Sequence, residues 1–413
     1  VRIRTGSRHA RRPGSALLRG IYLPRGMDAA AFAMTTYGIP LLVLATTRSA
    51  ALTGLAFALE WLPRLMAFAL AGALVDRYGT THVFRLASTA RAALVLAAAL
   101  ILGSPADGPG ETITVMTLAG GTGVLTEFSY LAAETAGGIA SRTAGARAHR
   151  VQSVLLGIDQ TATLIGPALA GLLLTHSGAT GMLAATAAFS LLAAALTPRQ
   201  NTAPHTTSQA TVVRGLRTGW QALRSLPALG WLVGGLTLSN LAVGVLQAAA
   251  PVIVVQRFGY SSTDVGLLWS AAAAAGLVAI ILCQRAIDRY GLWAVGAVCA
   301  TITGSACLAL TLADTYHAYL VLIALALAGE GGMTVVLRTL RSHLIPAEVF
   351  GNTLAVTILL LLLPFPIAGL LVAAVSPGRL GHVITACAVV QAIGLATAFT
   401  RLRTLPDLHP SAT

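Results

Sequence analysis

VDRYG, residues 75–79, and IDRYG, residues 287–291, are nearly the same five letters written twice in one chain. Each copy ends an apolar run and precedes another, which marks a chain made of two related halves. Working outward from them, long apolar runs recur over the whole 413 residues, at 22–47, 50–74, 84–103, 112–135, 151–174, 180–197, 228–250, 264–284, 292–313, 317–338, 353–375 and 382–400. Each lies near the ~20 residues with which a helix crosses roughly 30 Å of hydrocarbon. None alternates in short segments of about 10 as a membrane strand does. Only 10% of residues are charged, 56% are hydrophobic and the mean hydropathy is +0.78, whereas soluble domains carry about 25% charged residues. The expected fold is therefore an all-α membrane protein, with twelve transmembrane helices in two pseudo-symmetric six-helix bundles.

Arginine placement gives an orientation. All 27 basic residues are Arg; 22 fall in the tails, the even-numbered connections and the span ends that border them, three in odd-numbered connections, and two (Arg64 and Arg91) deeper inside spans. Cytoplasmic loops carry the positive excess, so both termini are expected in the cytoplasm. The net charge of +13 then reads as topology and attraction to anionic lipid, with no nucleic-acid partner. The expected divisions are a disordered basic cytoplasmic tail (1–21), a six-helix bundle (22–197), a cytoplasmic linker (198–227), a second bundle (228–400) and a second cytoplasmic tail (401–413). Within the linker, Val213, Leu216, Trp220 and Leu223 recur at helical spacing beside Arg214, Arg217 and Arg224, the pattern of an amphipathic helix on the membrane surface or of a solvated linker helix. The four cysteines fall within or at the ends of spans without metal-ligand spacing, and no cofactor or metal site is expected.

Both five-letter copies follow the second span of a half. GALVDRYGTTHVF, residues 72–84, resembles the loop signature of the major facilitator superfamily, with Gly72, Leu74, Asp76, Arg77 and Gly79 in place and Arg85 the nearest substitute for its missing basic pair. The second copy keeps Asp288, Arg289 and Gly291. IGPALAG, residues 165–171, resembles the fifth-helix motif of exporters through Gly166, Pro167 and Gly171, and ALEWLPRLMAFALAGALVDRYG is similar to the bacterial exporter branch that includes the enterobactin exporter. The resemblance covers about residues 20–400 and implies alternating access around a central cavity lined by spans 1, 4, 7 and 10. The arginine of the fourth-helix motif of many drug–proton antiporters is absent. In the loop, Asp76 and Asp288 can accept hydrogen bonds from a helix N-terminus, a latch worth about 0.3–2 kcal/mol.

Charges within spans are costly and usually face a cavity or a partner. Asp28, Glu60, Arg64, Arg91, Glu127, Glu134, Asp159 and Glu330 are such residues. Glu60 and Arg64, four apart, are expected to pair, mainly as structure and otherwise for gating or substrate. Arg91 is expected to snorkel or to meet Asp76 or Glu134. Glu127 and Glu330 occupy equivalent places, 22 residues before His149 and 21 before Gly351. With Asp28 they are candidates for proton coupling; selection of cationic substrates and helix-packing hydrogen bonds compete with that reading. Tyr37, Asn240 and Gln247 are candidate cavity hydrogen-bonding groups, with interhelical bonds as their alternative. No HExxH, GxSxG or Walker pattern is present, so no enzyme activity is expected.

The expected function is secondary active transport by a monomer in the bacterial cytoplasmic (inner) membrane. Its partners are a small-molecule substrate, protons and membrane lipids, with export of a small amphiphilic molecule such as a drug-like compound or siderophore. An importer, a lipid flippase or a non-transporting sensor are the alternatives.

Overall fold

A computed structural model describes residues 17–104, 109–144, 148–198 and 209–404. Its helices are α1 (Leu23–Thr47), α2 (Ala50–Tyr78), α3 (Thr80–Leu102), α4 (Pro109–Thr143), α5 (148–177), α6 (179–196), α7 (Gln209–Ser225), α8 (Pro227–Val252), α9 (Ser262–Tyr290), α10 (Leu292–Ala309), α11 (Tyr316–Leu344), α12 (Phe350–Leu362), α13 (Pro364–Ala374) and α14 (Leu380–Arg403). A π-helical turn, Leu18–Tyr22, leads into α1, so helix begins inside the stretch expected to be tail.

By length and apolar composition, ten described stretches can each cross a membrane. One of them, Arg150–Leu196, is broken at Gly178 into α5 and α6. Gly178 has φ +67°, a left-handed conformation that glycine adopts without a Cβ clash. The acid-bearing α4 supplies the twelfth crossing, and α12 with α13 forms a single crossing interrupted at Leu363, just before Pro364 and Pro366. Twelve crossings put the start of α1 and the end of α14 on one side, here the terminus side; the opposite side is the far side.

The halves repeat one packing scheme. Helix α1 lies against α5 and α6, α2 against α4, and α3 against α4 and α6; in the second half α8 lies against α13 and α14, α9 against α11, and α10 against α11 and α14. The repeated five letters also fold alike. Gly79 has φ 82° and ψ 151°, and Gly291 has φ 82° and ψ 162°. Each donates its N–H at 2.9 Å to the residue four back, Val75 or Ile287, and Arg77 and Arg289 lie over the rings of Tyr78 and Tyr290. A β-carbon is strained at that positive φ, which is why both turns end in glycine.

Between lipid-embedded helices the hydrophobic effect gives little, so close backbone approach has to supply the packing. The two halves meet this way on the far side. A Cβ on Gly54 of α2 would lie 2.7 Å from the Gly369 carbonyl oxygen of α13, and one on Gly171 of α5 would lie 2.3 Å from the Ser262 carbonyl oxygen at the start of α9. Hydrogen bonds from Thr263 to Thr175 Oγ1, from Ala168 N to Ser270, and from Gln256 to the Arg48 carbonyl join the halves at that level. The contacts obey the pseudo-twofold: α2 meets α13 as α9 meets α5.

Candidate functional site

Three arginines are buried in the first half, each tied to an acid. Arg91 of α3 is fully buried and donates to Asp28 of α1 at 2.6 Å, Ser190 of α6 at 2.9 Å and Ser129 of α4 at 3.2 Å. It therefore binds four helices together. Its expected routes, snorkelling or pairing with Asp76 or Glu134, give way because the inward-facing Asp28 and two hydroxyls satisfy the guanidinium inside the bundle. Asp28 is accordingly committed to this pair.

Arg25 of α1, which sequence counting had grouped with the tail, is also buried. It grips Asp159 of α5 through two bonds at 2.8 and 2.7 Å and reaches Glu134 of α4 at 3.2 Å. Proximity to the tail concealed it: only the facing acids, on helices distant in sequence, reveal that it points inward.

The third pair corrects the expected Glu60–Arg64 bridge. Arg64 Nε donates to Glu127 Oε2 at 2.7 Å, and the guanidinium lies 4.5 Å from the Trp61 ring centroid and 4.6 Å from that of Phe32. Helical spacing put Glu60 and Arg64 on one face, but α4 offers Arg64 a carboxylate across the helix boundary. A Cβ on Gly123 would fall 2.1 Å from the Glu60 carbonyl oxygen, so α2 and α4 touch backbone to backbone just where the pair forms.

Glu60 is left buried with Oε2 unpaired. Thr36 of α1 lies toward it without closing a hydrogen bond. Of the eleven buried side-chain atoms without partners among the described residues, six belong to residues around this point: Thr36 Oγ1, Glu60 Oε2, Trp61 Nε1, Arg64 Nη1, Thr126 Oγ1 and, from the second half, Gln247 Oε1. Tyr37 faces Gln247 and packs against Trp269 at 5.5 Å between centroids. Trp61 stacks on Phe365 of α13 at 4.4 Å. Polar atoms buried without partners each forfeit about 1–3 kcal/mol, and these six lie among residues that also bring the rings of Phe32, Tyr37, Trp61, Trp269 and Phe365.

The second half is arranged differently. Glu330 of α11 accepts a hydrogen bond from Ser239 of α8, and Ser239 in turn accepts one at 2.6 Å from Gln391 of α14. Among the described residues no cation pairs with Glu330, and the Arg257–Asp314 ion pair of this half is exposed. Glu127 and Glu330, equivalent by position, thus differ in chemistry. Asn240 donates at 2.8 Å to the Leu361 carbonyl, beside the break between α12 and α13, so its amide serves helix packing.

Of the loop residues, Arg77, Arg289 and Asp288 are exposed, Asp288 forms no hydrogen bond with any described residue, and the Asp76 side chain lies outside the described residues. Gly72 is loosely packed, with 3.9 Å from its added Cβ to Leu131, and Arg85 is half-buried. In the exporter-like stretch, a Cβ on Gly166 would lie 2.4 Å from the Ala33 Cβ of α1, while Gly171 and the Pro167 carbonyl both abut α9. Trp61, Thr36, Thr126, Phe365 and Trp269 had not been singled out; the one signal for them was an indole flanking Glu60 inside a span.

The sequence profile of the Major Facilitator Superfamily matches residues 25–369. The chain belongs to that superfamily. A search of curated protein sequences finds no match. Among solved structures, the superfamily member is similar to a bacterial homologue of the iron transporter ferroportin in an inward-facing state, with a TM-score of 0.76, 14% identity, and coverage of 96% of this chain and 100% of that one. It is also similar to a D-xylose–proton symporter (TM-score 0.72, 15% identity, 94% and 97% covered) and to a nucleoside transporter (0.71, 11%, 92% and 99%). At such identities the likeness is one of fold. Membership and fold make the protein a multi-pass membrane transporter.

Proposed function

We propose that this transporter is a proton-coupled exporter of a small amphiphilic molecule, with the substrate held where Glu60, Arg64, Trp61, Thr36, Thr126 and Gln247 converge. The observation that carries the reading is that cluster of buried, unpartnered polar atoms beside the rings of Phe32, Trp61, Phe365 and Tyr37. Donors and acceptors are both on offer, so a substrate with a polar head and an apolar body pairs the former and stacks on the latter. Both halves contribute, as alternating access about a central site requires.

Proton coupling falls to Glu330 in this reading. It can take up a proton without breaking an ion pair, whereas Glu127 and Asp28 are each held by an arginine. Far-side closure through the glycine contacts supports access to this site from the terminus side, and arginine placement supports reading that side as the cytoplasmic face of a bacterial inner membrane. Import is the second reading, favoured by likeness to the xylose symporter.

The test is flux of a panel of fluorescent amphiphilic dyes in proteoliposomes under an imposed pH gradient. Export requires dye movement against proton flow that weakens in Trp61→Ala and Gln247→Leu. Equal flux in these variants and the parent protein would move the substrate elsewhere.

A further inference from the structure

A groove that shares no lining residue with the polar site lies between the linker helix, α2 and α12. Leu65 of α2, Leu216 and Trp220 of α7, and Val356, Leu360 and Leu363 along and just beyond α12 bound about 360 Å³. That volume lies in the roughly 300–1,000 Å³ range of small-molecule sites. Its lining is apolar, and its long axis follows one helix face: positions 356, 360 and 363 are one and two turns apart, about 10 Å from end to end at 1.5 Å per residue. The groove thus runs from the α7 residues Leu216 and Trp220 along α12 to Leu363.

Its upper wall is basic. Helix α7, QATVVRGLRTGWQALRS, contains three arginines and no acid; Arg214, Arg217 and Arg224 are exposed, and the Arg224 guanidinium lies 5.1 Å from the ring centroid of the groove-lining Trp220. The helix is held in place through Gly219, where an added Cβ would lie 2.2 Å from the Asn352 carbonyl oxygen at the start of α12. An indole at the boundary between apolar wall and solvated cation is the arrangement of a membrane interface.

We propose that this groove binds one anionic membrane phospholipid, with an acyl chain lying along α12 and the phosphate drawn to the arginines of α7. An apolar slot leading from a cluster of cations fits a molecule that is a hydrocarbon chain at one end and an anion at the other. A transported amphiphile is the poorer fit, because the slot itself offers no polar group to orient it, and the polar site lies elsewhere. Leu65 belongs to the first half and α12 to the second. A chain between them props the halves apart on the terminus side, so the bound lipid favours the far-side-closed conformation. The proposal rests on the groove and on membrane embedding, and is independent of which substrate is carried.

The experiment reconstitutes the full chain with phosphatidylglycerol bearing a photoactivatable acyl chain, or with the phosphatidylcholine equivalent, and maps crosslinked peptides by mass spectrometry. The expected result is phosphatidylglycerol crosslinking concentrated on the peptides of Trp220 and Leu359–Leu363. It falls in Leu360→Trp, which fills the slot, and by roughly fivefold per arginine in Arg217→Gln and Arg224→Gln. Crosslinking at lipid-facing Leu100 and Leu312 remains constant, which shows that each variant is inserted and folded. Labelling of the slot that is equal for the two lipids, unchanged in Leu360→Trp, or no higher than at Leu100 overturns the proposal. So does displacement of the lipid by a transported dye, which would make the slot part of the substrate path.

Discussion

Replacing Gly266 by alanine puts a methyl group where the far-side seal has no room for one. The added Cβ would sit 2.3 Å from the Pro167 carbonyl oxygen and 3.0 Å from the Ala168 Cα. Both are backbone atoms of the opposite half, so no side-chain rotation relieves the contact. Carbon atoms rest at about 3.5–4.0 Å, which requires α5 and α9 to separate by roughly 1 Å. Overpacking of this kind costs about 1–3 kcal/mol. The cost falls on the state in which α5 and α9 touch and vanishes where they part, so the conformational equilibrium moves roughly 5- to 150-fold toward the far-side-open state. Spin labels at exposed positions 176 and 260, one in each half on the far side, report the change by double electron–electron resonance. A longer-distance population is expected to grow in Gly266→Ala and to grow further in Gly266→Val. Gly234→Ala is the control, since nothing lies within 4 Å of its added Cβ. Identical distance distributions in Gly266→Ala and Gly234→Ala would refute the reasoning that these glycines seal the far side.

Arg91→Ala leaves Asp28 buried without its cation and is expected to cost about 3–5 kcal/mol, measured as a lower melting temperature in detergent; the Asp28→Ala/Arg91→Ala double variant should recover part of the loss, and a parental melting point in the single variant would contradict the four-helix role. Glu330→Gln preserves an acceptor for Ser239 while removing the titratable group, so pH-driven transport should cease while dye binding persists; unaltered pH dependence of flux would exclude Glu330 as the coupling site. Trp61→Ala removes the stack on Phe365 and the ring beneath Arg64, each worth about 0.5–1.5 kcal/mol, and should weaken dye binding in equilibrium titrations; equal affinity would separate the aromatic cluster from the substrate.

The candidate site was only partly legible before folding. Glu60, Arg64 and Glu127 stand out in sequence because ionisable groups in apolar runs are conspicuous. Their pairing does not, since helical spacing reports neighbours on one helix and is blind to the carboxylate that a second helix brings. Arg25 shows the same limit from the other side: it sits next to a basic tail in sequence, and only Asp159, 134 positions away, reveals it as an interior residue. Asn240 illustrates a third case, where the consumer of a polar group is a carbonyl near the helix break that precedes Pro364.

What the sequence alone determined is what lipid imposes on any chain. Backbone groups must be satisfied within each segment, so long apolar runs become spanning helices, and a repeated VDRYG and IDRYG must turn the same way because both glycines take the same positive φ. Tertiary structure decided which partners the interior charges keep, that Glu330 meets a hydroxyl and no cation among the described residues, and that the halves close through Gly54, Gly171 and Gly266. These outcomes depend on distances between helices far apart in the chain, set by the small side chains at each crossing, and no local pattern encodes a distance.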